Sequence, residues 1–557
     1  CEVLIEQFRS VFTKDDGTIP NLPNINCPQT SKLVIEPIGV KQLLVNLNVR
    51  KACGPDGIPN LVLKNCADQL APALTTIFQY SIDTGVLPID WRKANVSCIF
   101  KKGDKHKPSN YRPVSLTSVC CKILEHIIFR HVMKHLQSNN LLTTLNHGFR
   151  SGFSCESQLL TTLDDLLKLY DKGSQVDVAI LDFSKAFDTV PHKKLLAKLE
   201  NFGISGPLHK WLSHFLSERT MRVVLDGTRS AEVHVDSGVP QGTVLGPLLF
   251  LCHINDLPDC VNIGSRVRLF ADDCLLYREI SNIRDQQILQ SDLKSLELWA
   301  AKWGMVFNAD KCYILSVRNR KPYFYKLNDT ILENVKSHPY LGIELAEDLK
   351  WSKHINNVSS KANKSLGFLR RNLRRWPSDL KKTAYISLVR SIMDYGAIVW
   401  DPYSSTDCEK LEKVQRRAAR FITGDYKSRS PGCVTSMLKT LDLQDLQERR
   451  KDLRLTYMFK VVNGLIKAMP PENFLTPTRT GCRRIKAKAF SGYHSENPVS
   501  AHVRNNSKTF VVPKSNYEQY TQSFFVKTIR EWNALGEHVV QAQTVDQFKT
   551  LIGQRSD

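Results

Sequence analysis

The chain has 557 residues, of which 42% are hydrophobic and 24% charged, so its composition is that of a globular protein. This length exceeds what one ordinary core holds, and we expect two or more domains. The formal net charge of +22 and the pI near 9.3 suit a polyanionic partner, with nucleic acid first and an anionic membrane second. A merely basic soluble surface is the alternative.

Several classes of protein are disfavoured at once. No apolar run approaches the ~18 residues that span a bilayer, so we expect no membrane-spanning segment. The fifteen cysteines include no C-x-x-C pair, which argues against a zinc knuckle and against a disulfide scaffold. We expect a reduced compartment, with the cysteines acting as small buried apolar residues.

The first third of the chain reads as a polar linker over residues 13–31 followed by helices and one strand. The apolar spacing predicts helices over 40–47, 61–83, 118–137 and 157–173, and the segment "ANVSCIF" predicts a strand that ends in the basic loop 101–107.

The pattern becomes a mixture of strands and helices from residue 176 to about 346. We predict strands in "VDVAIL" and "KCYILSVRN", a hairpin around "DGTRS", two strands that meet at "ADD", and helices to about Phe202, over 245–256 and over 283–303. Beyond 346 the chain is mainly helical, with predicted helices over 353–375, 379–397, 408–423 and 523–535 and a loosely ordered stretch over 472–520.

Two adjacent aspartates, Asp272 and Asp273, interrupt the apolar stretch "VRLFADDCLLY". Two like charges beside a buried strand are costly unless a cation neutralises them, and magnesium commonly does so where carboxylates converge. Asp182 ends another apolar strand, and two such strand ends can clamp two metal ions for phosphoryl transfer. Each aspartate alone is equally typical of a turn or a helix cap, and we interpret Asp188 and Asp256 in that way.

The order of five segments resembles one family in particular. "LDFSKAFD" (181–188) is followed by "SGVPQGTVLGPLLF" (237–250), "FADD" (270–273), "KWGMVFNADKC" (302–312) and "HPYLGIEL" (338–345). This succession resembles the reverse transcriptases of non-LTR, LINE-type retrotransposons, and the jockey-like group most of all. The resemblance runs from about Lys51 to Leu345 and continues more weakly through "SIMDYGAIVWDP" (391–402).

The resemblance implies a catalytic and metal-binding centre of three carboxylates with Mg²⁺ or Mn²⁺. Asp182, Asp272 and Asp273 would bind two ions, with Asp272 indispensable and Asp273 more tolerant of change, and the backbone carbonyl of Phe183 would be a further ligand. Phe270 stands where relatives often have tyrosine, which removes a hydroxyl and keeps the ring.

The resemblance also implies a nucleotide site. Phe187 would be the steric gate under the sugar, although a core aromatic fits the spacing equally well. Gln241 and Gly242 would lie beside the incoming nucleotide, and Lys311 near the triphosphate, with an exposed lysine as the alternative. Arg112 in "NYRPVSLTS" and Arg150 in "HGFRSGFSC" would contact nucleotide phosphates.

The primer and template would be held further along the chain. "YLGI" implies a primer-grip hairpin at Tyr340, Leu341 and Gly342. Six cations of one helical stretch would contact duplex phosphates: Lys361, Lys364, Arg370, Arg371, Arg374 and Arg375. A solvated charged face is the alternative for this helix.

The resemblance implies an α+β right-hand polymerase fold with fingers, a palm with an antiparallel sheet and a helical thumb. We expect an N-terminal helical and linker segment (1–50), fingers and palm (51–346), thumb (347–425) and a mainly helical C-terminal region of unknown role (426–557). The fifty residues before Lys51 are too few for the endonuclease domain that usually precedes the polymerase in relatives.

The implied activity is RNA-directed DNA polymerisation, in which dNTPs extend a DNA 3′-OH primer or target on an RNA template. The implied location is nuclear and cytoplasmic, with no membrane partner and no protein partner indicated. A group II intron maturase lacks a signature after the thumb. The alternative from another class is a catalytically inactive or domesticated nucleic-acid-binding protein derived from such an element.

Overall fold

The structure is a computed structural model that describes residues 1–14, 17–23, 25–478 and 506–553. Its strands, in chain order, are β1 Lys93–Phe100, β2 Tyr111–Leu116, β3 Gln175–Leu181, β4 Thr220–Leu225, β5 Thr228–Arg229, β6 Val233–His234, β7 Ser265–Phe270, β8 Asp273–Ile280, β9 Tyr313–Val317, β10 Lys326–Leu327, β11 Thr330–Ile331, β12 Glu333–Asn334, β13 Ser337–Tyr340 and β14 Ile343–Ala346.

The central sheet has the strand order β12-β9-β3-β8-β7. Strand β3 is buried along its whole length and pairs antiparallel with β8 on one side and β9 on the other. Such complete burial explains its nearly continuous run of aliphatic residues, because both faces of the strand need apolar partners. The predicted pair of strands meeting at the aspartates is confirmed as the β7–β8 hairpin.

A second sheet joins β2, β1, β4, β5 and β6. The hairpin predicted around "DGTRS" is confirmed, with Asp226 and Gly227 as its two-residue turn. Both turn residues have positive φ, which is the conformation that Asp-Gly favours between paired strands. The N-terminal helix packs Ile5 and Phe8 against this sheet.

The helices of the first 346 residues are α1 Glu2–Arg9, α2 Pro37–Val45, α3 Asn60–Asn65, α4 Ala67–Thr84, α5 Val119–Ser138, α6 Cys155–Asp171, α7 Ala186–Thr189, α8 His192–Asn201, α9 Gly206–Leu216, α10 Leu245–Ile254 and α11 Ile283–Trp303. The prediction of one continuous helix to about Phe202 was wrong, because α7 and α8 are separate helices. The chain breaks between them because Pro191 lacks an N–H and Val190 before it is extended. The helix predicted over 61–83 is likewise two helices, α3 and α4.

The later helices are α12 Ser352–Asn372, α13 Ser378–Tyr385, α14 Ser391–Asp394, α15 Ala397–Trp400, α16 Ser405–Thr423, α17 Cys433–Thr440, α18 Leu446–Val462, α19 Pro471–Phe474, α20 Glu518–Thr521, α21 Phe524–Asn533, α22 Glu537–Val540 and α23 Val545–Gly553. The helix predicted over 379–397 is divided, with a π-helical turn at Ile386–Arg390 and a left-handed Gly396 before α15. Most of the stretch predicted to be loosely ordered, 472–520, lies outside the described residues.

The central sheet separates two hydrophobic cores, because alternate residues of β3 face opposite sides. Ala179 and Leu181 join a core built from the helices and loops of residues 33–332. Val176, Val178 and Ile180 join a core that includes α6 and the helices from 355 to 552. This second core continues without interruption across residue 425.

The described cysteines are free thiols, as the spacing predicted. The prediction that they are buried is confirmed only in part, since Cys66 is exposed. The buried cysteines are Cys120, Cys121, Cys252, Cys274 and Cys312. In the part of the chain that the structure describes, no helix is long and apolar enough to cross a membrane.

A buried lysine fastens α8 to α10 and α11. The Lys198 ammonium lies 2.5 Å from an Asp256 carboxylate oxygen and 3.6 Å from the centroid of the Trp303 ring. Burial lowers the pKa of Lys198 to about 8, and Asp256 offsets part of that shift. Asp256 therefore has the structural role that we assigned to it.

We expect this lysine to make the free energy of unfolding increase with pH in the alkaline range. Between pH 8 and pH 10 the unfolded chain keeps the Lys198 proton that the folded chain has released, so the free energy of unfolding rises by about 1 kcal/mol per pH unit from this group. Lys198→Met should lose that increment in denaturant titrations, whereas Lys210→Met, an exposed lysine on α9, should keep it. An unchanged pH slope in Lys198→Met would contradict the assignment.

Candidate active site

The three predicted carboxylates lie at neighbouring strand ends. Asp182 directly follows β3. Asp272 lies in the turn of the β7–β8 hairpin, and Asp273 is the first residue of β8. Leu181 pairs with Cys274 in the antiparallel register, which places Asp182 beside Asp273. The sheet register alone therefore brings together residues that are ninety positions apart in sequence.

The hairpin turn that carries Asp272 is strained and held from outside. Ala271 has φ +56°, a left-handed conformation that costs a non-glycine residue about 1 kcal/mol. The buried Asn146 side chain accepts hydrogen bonds from the N–H groups of Ala271 at 3.2 Å and Gly148 at 3.0 Å. A Cβ on Gly148 would stand 2.5 Å from the Ala271 nitrogen, so only glycine allows this close approach.

Neighbouring negative charge raises the proton affinity of Asp272 and Asp273. The surrounding protein partly desolvates the Asp273 carboxylate, and this effect, with the negative charges of Asp272 and Asp182, raises the pKa of Asp273 to about 6. The pKa of Asp272 is also raised, mainly by burial and then by Asp182, while Arg112 and Lys101 act in the opposite direction. This mutual repulsion is the condition that a bound cation relieves.

Three cations, Lys101, Arg112 and Lys311, lie within electrostatic reach of the carboxylates, and Lys185 lies within reach of Lys101. The pKa of Lys101 is lowered by burial and then by the positive charges of Arg112, Lys185 and Lys311, so these groups lie within electrostatic reach of one another. The Lys311 ammonium lies 3.5 Å from an Asp182 carboxylate oxygen. A site with clustered carboxylates on one side and clustered cations on the other suits a metal-bound polyphosphate.

The donors around the carboxylates are of the kind that hard divalent cations prefer. The antiparallel bridge between Phe183 and Phe307 is closed by the Asp182 and Val306 carbonyls, so the Phe183 carbonyl takes no part in these bonds. Among the described residues, no three His, Cys, Asp or Glu side chains converge tightly enough to hold an ion in their present positions. The residues fit a divalent ion in charge and chemistry, with Asp182 turned toward Lys311.

Phe187 lies at the edge of the site. Its ring is partly exposed, stacks on Phe250 with a centroid distance of 4.4 Å and meets the edge of Phe149. Because the ring also packs against the first hydrophobic core, the steric gate and the core aromatic both stay predictions.

The "PQG" loop is fixed against neighbouring strands. The Gln241 amide donates a 2.8 Å hydrogen bond to Asp188, and the Gln241 carbonyl accepts from the Ser115 N–H at 2.8 Å. Gly242 has φ +102°, and a Cβ there would lie 2.7 Å from the Ser115 carbonyl. Asp188 thus orients Gln241, which agrees with its interpretation as a structural residue.

Arg150 is engaged within its own loop. Its guanidinium donates to the carbonyls of Thr143 and Asn146 and stacks on the Phe153 ring, 4.1 Å from the centroid. Arg112, by contrast, lies on β2 close enough to Asp272 to lower its pKa. Phosphate contact by Arg150 stays a prediction, and it would require the side chain to leave these carbonyls.

The predicted primer-grip hairpin is β13–β14, with Leu341 at φ +46° and Gly342 at φ +81° in its turn. Tyr340 is buried and its hydroxyl accepts a 3.2 Å hydrogen bond from Gln158 on α6.

The six predicted cations lie on or just beyond α12 and are all exposed: Lys361, Lys364, Arg370, Arg371, Arg374 and Arg375. The Arg370 guanidinium lies over the Tyr426 ring.

Sequence reasoning missed three contributors to the site. Lys101 was predicted only as part of the basic loop 101–107, and Lys185 and Asn146 were not singled out. Lys185 lies inside the "DFSKAFD" segment with φ +49°, and Asn146 precedes "HGFR". Their positions next to recognised motifs were the available signal, but only the fold shows that Lys101 acts on Asp272, that Lys185 lies near Lys101 and that Asn146 binds the turn before Asp272.

A comparison with known proteins agrees with this geometry. Residues 99–345 match the family model described as reverse transcriptase (RNA-dependent DNA polymerase). These residues contain both sheets almost completely and all three aspartates. They therefore form a reverse transcriptase domain.

Three curated relatives indicate which kind of reverse transcriptase the chain resembles. The chain is 28% identical over 398 residues to the RNA-directed DNA polymerase from mobile element jockey of Drosophila melanogaster, which covers 69% of this chain and 43% of that protein. Two more D. melanogaster relatives, the probable RNA-directed DNA polymerases from transposons X-element and BS, are each 27% identical and cover 70% and 84% of this chain, and 44% and 53% of their own lengths.

The chain is thus similar to the reverse transcriptases of non-LTR, LINE-type retrotransposons, as its motifs predicted. It spans about half the length of the curated relatives that it matches.

We expect the carboxylate repulsion to destabilise the metal-free protein. Asp273 is exposed, so solvent screening limits the cost of its ionisation to about 1 kcal/mol. Because its folded pKa is raised, this cost is present above about pH 6 and disappears toward pH 4. Without divalent ions at pH 7.5, Asp273→Asn should raise the melting temperature by about 2 °C.

The control for this measurement is Asp226→Asn, which also removes one carboxylate from a strand-connecting turn. It should leave the melting temperature unchanged, and the gain in Asp273→Asn should shrink as the pH falls below 6. A melting temperature of Asp273→Asn equal to that of the unmodified chain at pH 7.5 would show that the three carboxylates do not repel one another.

Proposed function

We propose that this chain is the polymerase portion of a non-LTR retrotransposon protein and extends a DNA 3′-OH on an RNA template with dNTPs. The observation that carries the proposal is the meeting of Asp182, Asp272 and Asp273 at adjoining strand ends, within electrostatic reach of Lys101, Arg112 and Lys311. The names of the relatives, which describe RNA-directed DNA polymerases, support the choice of template and product.

Two Mg²⁺ ions, or Mn²⁺, would be held by Asp182, Asp272, Asp273 and the Phe183 carbonyl. Such ions activate the attacking hydroxyl and stabilise the leaving phosphates. The chain's own contribution is to keep three carboxylates close in spite of their repulsion and to present cations to the phosphates. Lys311, whose ammonium lies 3.5 Å from an Asp182 carboxylate oxygen, would present a cation to the triphosphate.

We assign the parts of a right-handed polymerase as the resemblance implies. Residues 51–346 would form fingers and palm, residues 347–425 the thumb, and residues 1–50 an N-terminal extension. The thumb assignment is supported by charge, because the thirty residues from Leu349 to Ser378 include no Asp or Glu and eight Lys or Arg. An exposed helix of this kind suits the phosphates of a template–primer duplex and reads no sequence.

The partners of this activity would be an RNA template, a DNA primer or target, and dNTPs. The work of such an element would take the protein to the cytoplasm, where its RNA is translated, and to the nucleus, where its target lies. No helix that could span a membrane occurs in the described part of the chain.

Primer extension tests the proposed activity directly. With an RNA template, an annealed DNA primer, dNTPs and Mg²⁺, the unmodified chain should extend the primer, and Asp272→Asn should lower the rate by about a thousand-fold because a charged ligand is lost where negative charge must be balanced. Asp226→Asn should extend normally. Equal extension by Asp272→Asn would refute this metal site, and no extension by the unmodified chain would favour a nucleic-acid-binding protein without catalysis.

Sugar selection tests the role of Phe187. If the ring excludes a ribose 2′-OH by steric clash, Phe187→Ala should reduce the preference for dNTPs over rNTPs by about ten-fold or more, measured as the ratio of kcat/KM values. Phe250→Leu removes the ring on which Phe187 stacks and should leave most of the preference in place. If Phe187→Ala only lowers thermal stability, Phe187 is a packing residue.

A further inference from the structure

The segment "DYGAIVWD" (394–401) connects the C-terminal helices to the β13–β14 hairpin. It begins at the end of α14 and contains all of α15. Its two acidic residues bind the C-terminal helices, and its tyrosine and glycine contact the hairpin.

The contact with the hairpin turn is made by Tyr395. Its hydroxyl donates a 2.8 Å hydrogen bond to the carbonyl of Leu341, which is one of the two left-handed residues of the turn. Its ring covers Gly342, where a Cβ would lie 3.1 Å from the Tyr395 Cε1 atom. The Tyr395 side chain is 47% exposed, so it holds the turn from the solvent side without being core.

Gly396 brings the segment close to the hairpin. It has φ +60°, and a Cβ there would lie 2.8 Å from the Cδ1 atom of Ile343. The indole of the buried Trp400 donates a 2.8 Å hydrogen bond back to the Tyr395 carbonyl, and its ring packs against His354. The His354 ring in turn accepts a hydrogen bond from the Glu344 N–H at 3.2 Å, so the turn and strand β14 of the hairpin are both tied to this segment.

The other end of the segment is anchored by charge. Asp401 is buried and binds Arg450, Arg454 and Lys527, with distances of 2.7 Å to the Arg450 Nε and the Lys527 Nζ. Burial opposes its ionisation, but Arg454, Lys527 and Arg450 outweigh that effect and lower the pKa of Asp401. A carboxylate held by three cations from α18 and α21 fixes the segment to both helices.

Asp394 forms the second anchor, next to Tyr395 itself. The Arg449 guanidinium on α18 engages both carboxylate oxygens, with distances of 2.9 to 3.1 Å. Such a two-point contact restricts orientation as well as distance. Because Asp394 and Tyr395 are adjacent, a shift of α18 would be transmitted to the hydroxyl that holds the hairpin turn.

We propose that the C-terminal region positions the primer terminus, through Tyr395 and its anchors Asp394 and Asp401. The inference rests on the proposed function and on the primer-grip role that the resemblance implies for the β13–β14 hairpin. In this role Tyr395 is a positioning residue, since it acts through Leu341 and Gly342 and touches none of the carboxylates. Helices α18 and α21 thereby become part of the polymerase rather than an appendage to it.

The test compares Tyr395→Phe with Tyr80→Phe, which removes a hydroxyl from an exposed tyrosine on α4. Loss of one hydrogen bond corresponds to about a five-fold effect, so Tyr395→Phe should raise the KM for the template–primer by about that factor. The KM for dNTP and the kcat should stay near those of the unmodified chain. Equal changes in the two KM values, or none, would overturn the proposal.

A second pair of variants tests the link to α18. Arg449→Gln should raise the template–primer KM in the same way as Tyr395→Phe, while Lys451→Gln, which removes a cation paired with Glu448 on the same helix, should not. Adding Arg449→Gln to Tyr395→Phe should give less than the product of the two separate effects, because both act through one contact. Fully independent effects would contradict transmission through Tyr395.

Amide hydrogen exchange separates this proposal from the proposed function. In the free protein, Tyr395→Phe and Arg449→Gln should each speed exchange of the 340–343 amides by about five-fold, and the two control variants should not. This result needs no polymerase activity. Unchanged exchange at the turn would overturn the proposal even if the unmodified chain extends primers.

Discussion

The repulsion among three carboxylates is the constraint on which the rest of the structure depends. Asp182 and Asp273 are brought together by an antiparallel register that a one-residue slip would destroy, because such a slip moves every side chain to the opposite face. The register is secured by β3, whose residues are buried on both faces and contribute to two separate cores. Burial on two sides thus compensates for an electrostatic cost at the strand end.

The turn at Ala271 shows the same compensation at smaller scale. A left-handed alanine is unfavourable, and it persists because Asn146 binds its N–H and Gly148 leaves room for it. These two residues come from the loop before α6, more than a hundred positions earlier in the chain. The loop that bears Arg150 therefore also shapes the turn that bears Asp272, and a change in one would be felt by the other.

Sequence patterns predicted much of this arrangement because they report local periodicity and motif order. The strands at "VDVAIL" and "FADDCLLY" and the helix over 283–303 follow from apolar spacing, and the three aspartates follow from the succession of motifs. The break at Pro191 could have been read from its missing N–H. The roles of Lys101, Lys185 and Asn146 could not, since each depends on which distant strand or turn lies opposite.

The division between thumb and C-terminal region illustrates a different limit. Composition changes after residue 425, and a boundary there is reasonable from sequence, yet the apolar core continues from α12 and α16 into α18, α21 and α23. A shared core couples its helices because close-packed interiors transmit displacement rather than absorb it. The β13–β14 hairpin packs on the same core, with Tyr340 and Ile343 among its buried members. Because His354 of α12 packs on Trp400, and Trp400 binds the Tyr395 carbonyl, a displacement of α12 would reach the hairpin turn through these two residues.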